Sequence, residues 1–177
     1  MTRRRIDRDE FEALFDTFAE SAWRLEIQGT YSEPEEQEPL RRFLVGEPDD
    51  HTWMADWFEW VAELTAAGRR VGRVRVLTEP LTDYLRFELS FTGLAVEAGE
   101  DIRVLAATDA ERLRLPRVDF WLFDDRTAVA MTFGDTGVSS AEVIDHPAEV
   151  EHYRAIQQQA LAAAVPYLEW RAAQLSR

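Results

Sequence analysis

Three consecutive stretches constrain this chain more than any other feature: "VGRVRVLT", "LTDYLRFELSFTGLAVEAG" and "DIRVLAA". The outer two read as strands, and the middle one reads as a helix that stops near Gly99. Two strands joined by a helical crossover are expected to be parallel neighbours with a right-handed connection. That unit alone places the chain in the α/β class.

The flanking segments fill in the rest. "RVDFWLFDDRTAVAMTFGD" gives two more strands folded on the Asp124–Thr127 turn as an antiparallel hairpin. "HPAEVEHYRAIQQQALAAAVPYLEWRAAQL" is helical, and Pro166 either kinks it or starts a new helical segment. Near the N-terminus, Asp7 and Glu10 have capping-box spacing, with Ile6 and Phe11 placed as a hydrophobic staple. Phe11, Leu14, Phe15 and Phe18 then form a core-facing stripe. In "WRLEIQ", Trp23, Leu25 and Ile27 face one way and Arg24, Glu26 and Gln28 the other, as in a half-buried strand. "YSEPEEQEPLRRFLVGEP" reads as a short helix with an acidic, solvated start. "HTWMADWFEWVAELTAAG" reads as a helix whose Trp53, Trp57, Trp60, Val61 and Leu64 pack it onto the sheet.

The expectation is one α/β domain over residues 1–177, with a central mixed sheet of about five strands and flanking helices. Residues 1–68 form an N-terminal helix-and-strand portion packed on a βαβ-plus-hairpin core at 69–134. A C-terminal helical segment occupies 147–177.

Composition narrows the function classes. The formal net charge is −14, and all 20 basic residues are arginine. Direct nucleic-acid binding is disfavoured, because a duplex reader carries a basic face. The only basic run, Arg3 to Arg5, reads as a solvated tail. With no cysteine, a disulfide framework and a zinc–thiolate site are excluded. No secretory leader is recognisable and no apolar run is long enough to span a bilayer, so a soluble, cytoplasmic protein without membrane contact is expected. His51, His146 and His152 lack metal-ligand spacing and read as surface or capping residues, and neither a nucleophile elbow nor a phosphate-loop pattern occurs.

The residues most worth following lie in "RVRVLTEPLTDYLRFEL". Arg73 and Arg75 share one strand face, and a central parallel strand is ordinarily apolar on both. The plainer reading is an edge strand whose arginines make surface ion pairs and discourage edge-to-edge pairing. The alternative is a ligand-binding cluster that draws on Glu79, Tyr84 and Glu88, together with Asp119, Trp121 and Asp124 of the later strand. Tyr84 and Glu88 share a helix face. Backbone N–H groups near Thr82 and Asp83 could receive an anion. Turn chemistry alone accounts for aspartates at 124 and 125.

Four segments in order, "RLEIQGTY", "RVRVLTEPLTDYLRFEL", "AGEDIRVL" and "LPRVDFWLFDD", resemble an uncharacterised actinobacterial family of domains of unknown function. Its members are commonly found beside helix-turn-helix regulators, which implies a protein partner and brings no established activity. The βαβ unit and hairpin also resemble one half of a phospholipase D-like fold, whose signature is His-x-Lys-x-x-x-x-Asp. With Asp124 in the place of that Asp, Arg117 falls on the His and Asp119 on the Lys. The resemblance therefore implies a scaffold without the phosphohistidine nucleophile.

The expected function is a non-catalytic regulatory or ligand- and partner-binding module without a cofactor. It acts with a helix-turn-helix regulator and takes a small anionic ligand near Arg73 and Arg75. The alternative is a metal-dependent hydrolase or nuclease-like enzyme using Asp119, Asp124 or Glu88.

Overall fold

A computed structural model describes residues 3–176. In chain order the elements are β1 (Arg4–Ile6), α1 (Arg8–Thr17), β2 (Ser21–Glu26), α2 (Gln37–Leu44), α3 (Ala55–Ala66) and β3 (Arg70–Leu77). They continue with α4 (Asp83–Ala98), β4 (Asp101–Ala106), α5 (Ala107–Arg112), β5 (Asp119–Phe123) and β6 (Thr127–Gly134). The last are β7 (Gly137–Ile144), α6 (Pro147–Ala163), β8 (Val165–Pro166) and α7 (Tyr167–Leu175). All eight strands join one sheet in the order β1-β7-β6-β5-β2-β3-β4-β8. β2, β3 and β4 pair in parallel and the other neighbours are antiparallel, so the sheet is mixed.

Eight strands replace the expected five. The additional ones are those that carry little apolar alternation. β1 has three residues and was expected to be a solvated tail, yet Arg4–Ile6 pairs with Ala141–Val143 of β7. β7 is edge-like in composition, with Ser139, Ser140 and Glu142 among its eight residues. β8 is two residues long and includes Pro166, after which the chain starts a new helix. β2 is not a layer resting on the core: it sits in the middle of the sheet, between β5 and β3.

Helix boundaries follow local chemistry. The Asp7–Glu10 capping box starts α1, with Glu10 N–H donating to Asp7 and Asp7 N–H to Glu10. Thr82 caps α4 by accepting from Leu85 N–H, and Gly99 closes that helix at φ 115°. The three-residue β5–β6 connection turns on Asp124 and Asp125, both left-handed (φ 52° and 54°), and Arg126 N–H donates to the Phe123 carbonyl to close the turn.

Each sheet face has its own cover. Trp23, Leu25, Val74, Val76, Phe120 and Leu122 pack under α6 and α5. On the opposite face, α1 and α3 cover Trp121, Phe123, Val129 and Met131, while α4 and α7 cover Ile102 and Val104. Trp53 precedes α3 in a 3-10 turn and packs on Phe87 and Phe91 of α4, not on the sheet. Between those two groups of contacts, at the sheet centre, the second face is polar.

Candidate functional site

Strand register creates the site. Arg24 pairs across β2–β3 with Arg73, and Glu26 with Arg75, while Arg24 lies opposite Trp121 on β5. Because side chains alternate, these residues all project from one sheet face. β3 is an interior strand, so the edge-strand reading of its arginines is corrected: Arg75 is 5% exposed and Glu26 is 4%.

Buried charge survives only when it is paired and hydrogen-bonded, and here the pairing is dense. Glu26 is the hub. It accepts from Arg73 Nη1 at 2.8 Å and Arg75 Nε at 2.6 Å, and lies 3.2 Å from Arg24 Nη1. Arg73 Nε also donates to Glu100 at 2.5 Å, and its guanidinium lies over the Trp57 ring. Arg75 pairs with Glu88 and donates to Thr92. Arg24 is boxed by the rings of Tyr31, Trp121 and Phe133, 5.5–5.8 Å away, and its Nη2 is 3.5 Å from Asp119. Burial alone would raise the Glu26 carboxyl, but the guanidiniums of Arg75, Arg73 and Arg24 hold it well below the usual carboxylate range.

Two tyrosines extend the network. Tyr31 donates to Asp119 at 2.5 Å, and burial pushes Asp119 upward against the pull of Arg24. Tyr84 lies 2.5 Å from Glu36 and 3.2 Å from Glu88, yet carries one proton for the two. Burial, followed by the Glu88 charge, pushes the Glu36 carboxyl up to about 8. The expected solvated acidic start of the α2 region therefore holds only in part, since Glu36 turns inward.

Above this floor lies a cavity of about 330 Å³, roofed by Phe11 and Phe15 of α1, Met54 and Trp57, and Phe91 of α4. Three arginines (Arg24, Arg73, Arg75) and five glutamates (Glu26, Glu33, Glu36, Glu88, Glu100) line it. An anion entering beside Arg73 and Arg75 would compete with carboxylates that already hold both guanidiniums, which argues against the expected anionic ligand.

Of the residues singled out from sequence, Arg73, Arg75, Tyr84, Glu88 and Trp121 line this cavity. Asp119 supports it from behind through Tyr31 and Arg24. Glu79 does not join them and sits exposed before α4. Asp124 lies at the opposite end of β5, where its carboxylate accepts from the N–H groups of Ala19, Glu20 and Ser21 at 2.7–2.9 Å. Glu88, Asp119 and Asp124 do not converge, and no group of three or more metal-ligating side chains occurs among the described residues. Sequence reasoning missed Arg24, Glu26, Tyr31, Glu36, Trp57 and Glu100. The strict alternation of "WRLEIQ" was the available signal for the first two.

The sequence matches the family described as a domain of unknown function, DUF6879, over residues 9–172. The chain belongs to this family. No curated protein matches it. Among solved structures, the DUF6879 chain is similar to Nuc from Salmonella typhimurium, a phospholipase D family member, at 14% identity and TM-score 0.58, covering 90% of each chain. It is also similar to NucT from Helicobacter pylori, at 10% identity and TM-score 0.55, covering 93% of this chain and 97% of that one. At these identities the likeness shows a shared α/β fold with a central mixed sheet. No described helix is long and apolar enough to cross a membrane.

Proposed function

We propose that this DUF6879 chain is a non-catalytic binding module, with the sheet-face cavity as its small-ligand site and its acidic exterior as the docking surface for a helix-turn-helix regulator. One observation carries the first half. With Asp124 set on the aspartate of the phospholipase D signature, its lysine position falls on Asp119, 1% exposed and held by Tyr31 and Arg24, and its histidine position on Arg117, which is exposed. No side chain there supplies a nucleophile with a free base beside it. A buried, mutually compensated charge network serves instead as a rigid floor for recognition. The net charge of −14 supports the second half by favouring a basic partner face.

The test is co-expression with a candidate helix-turn-helix regulator, with affinity purification at low and high salt. A complex that weakens as salt rises is expected. Absence of association at low salt removes the partner, and turnover of a phosphodiester substrate that is lost with Asp119→Asn removes the non-catalytic reading.

A further inference from the structure

The cavity's charge pattern points to the class of molecule it takes. Most of the donors of Arg73 and Arg75 are already engaged by carboxylates. Arg73 and Arg75 are spent on Glu26, Glu100, Glu88 and Thr92. Arg24 lies in its aromatic box with Nη1 and Nη2 beside Glu26 and Asp119, and its unpartnered Nε is shut off from solvent.

The carboxylates are in surplus. Glu33 and Glu36 pair with no cation among the described residues, although both line the cavity. Among the described residues the only hydrogen-bond partner of the Glu36 carboxylate is Tyr84, whose single proton is also in reach of Glu88. Glu88 already has Arg75, so Glu36 is the group left short of positive charge. The remaining walls include the rings of Phe11, Phe15 and Phe91, surfaces that attract cations as well as apolar bodies. A second cavity of about 380 Å³ between α1 and the β6–β7 hairpin shares Phe11, Glu33 and Val138 with the first.

Resting on the binding-module reading, we propose that this cavity takes a small organic cation, an ammonium group on an aromatic or apolar body, with Glu36 as its counter-ion. In the empty cavity Glu36 answers its surroundings by holding a proton, and the ammonium takes that proton's place. The groups facing Glu36 are Tyr84 and Glu88 from α4, Glu33 from its own loop and Glu26 from β2. All of the charged ones are acids, so every neighbour favours the exchange.

Three probes of matched shape decide the matter: tryptamine, tryptophol and indole-3-propionate, each titrated calorimetrically into the whole protein. Tryptamine is expected to bind about ten-fold tighter than tryptophol, and indole-3-propionate to be the weakest. Tryptamine affinity rises with pH until Glu36 is ionised, levelling above about pH 8. Below that pH, titrations in buffers of differing ionisation enthalpy report release of up to about one proton. Glu36→Gln, which mimics the protonated side chain, abolishes both the ten-fold preference and the proton release. Should that variant not fold, the wild-type ranking and proton release still decide. Equal or tighter binding of indole-3-propionate, an unaltered preference in Glu36→Gln, or no saturable binding by any probe overturns the cation inference. Saturation by indole-3-propionate alone would sink this inference while leaving the binding-module reading intact, which falls only on its own regulator and phosphodiesterase tests.

Discussion

Replacing Glu26 by Gln isolates the hub of the buried network without changing its volume. Removing one partner of a buried ion pair costs about 3–5 kcal/mol, because a charge is left without compensation. Here the stripped groups are not orphaned: Arg73 keeps Glu100, Arg75 keeps Glu88 and Arg24 keeps Asp119 at 3.5 Å. The glutamine oxygen also still accepts one hydrogen bond. The expected loss therefore lies at the low end, about 3 kcal/mol. In urea, with a slope of about 2 kcal/mol/M, the unfolding midpoint falls by about 1.5 M. The pH dependence gives a second reading. The Glu26 carboxyl is held low in the fold, so its contribution is fully present above the unfolded value of about 4.3 and fades as pH drops further. The gap between wild type and variant should be flat above about pH 5 and narrow below about pH 4. A loss under about 1 kcal/mol, or a gap that does not narrow in acid, would refute the view that Glu26 anchors three guanidiniums.

Other perturbations test separate parts of the molecule. Glu36 has a raised carboxyl, so the fold loses stability as pH climbs from about 4.3 to about 8. Glu36→Gln should therefore gain in melting temperature over wild type across that window and hold a constant advantage above it, as read by thermal scans at several pH values. Asp124→Asn keeps the left-handed turn but weakens three charge-assisted bonds to the start of β2. A loss of about 1–2 kcal/mol by chemical denaturation is expected, with probe binding at the cavity unchanged. Gly99→Ala drives a Cβ into Thr65 Oγ1 at φ 115°, and a loss of about 2 kcal/mol or more should follow in the same assay.

The parts of the fold that were legible in sequence are those where one residue pattern meets one physical demand. The crossover helix between two β-branched runs forces β3 and β4 to be parallel, and Asp124–Asp125 forces the hairpin; both are as expected. β1, β7 and β8 were illegible because their pairing is set by neighbours: a three-residue strand with two exposed arginines, a serine-rich strand and a Val-Pro dipeptide carry no periodic signal of their own. The site divides along the same line. Arg73 and Arg75 stood out as charges in a strand that should be apolar. Arg24 and Glu26 did not, because alternation of polar and apolar residues is also what a strand with one wet face shows. Only the β2–β3 register reveals that the polar side meets more charge instead of water. Glu36 and Glu100 come from outside the strands, and nothing local distinguishes them from surface acids.

That register has a consequence for how the chain finds its fold. Were β2 to slip by one residue against β3, Arg24 and Glu26 would swing to the opposite side, among Val74, Val76 and Phe120 and beneath α6. Two ions would then be stranded in hydrocarbon, and Trp23 and Leu25 would face bare guanidiniums. A purely aliphatic strand could tolerate such a misalignment as a long-lived trap. In this sheet the misaligned pairing is too unfavourable to persist, so the charges act as a proof-reader of strand assembly whatever else they do.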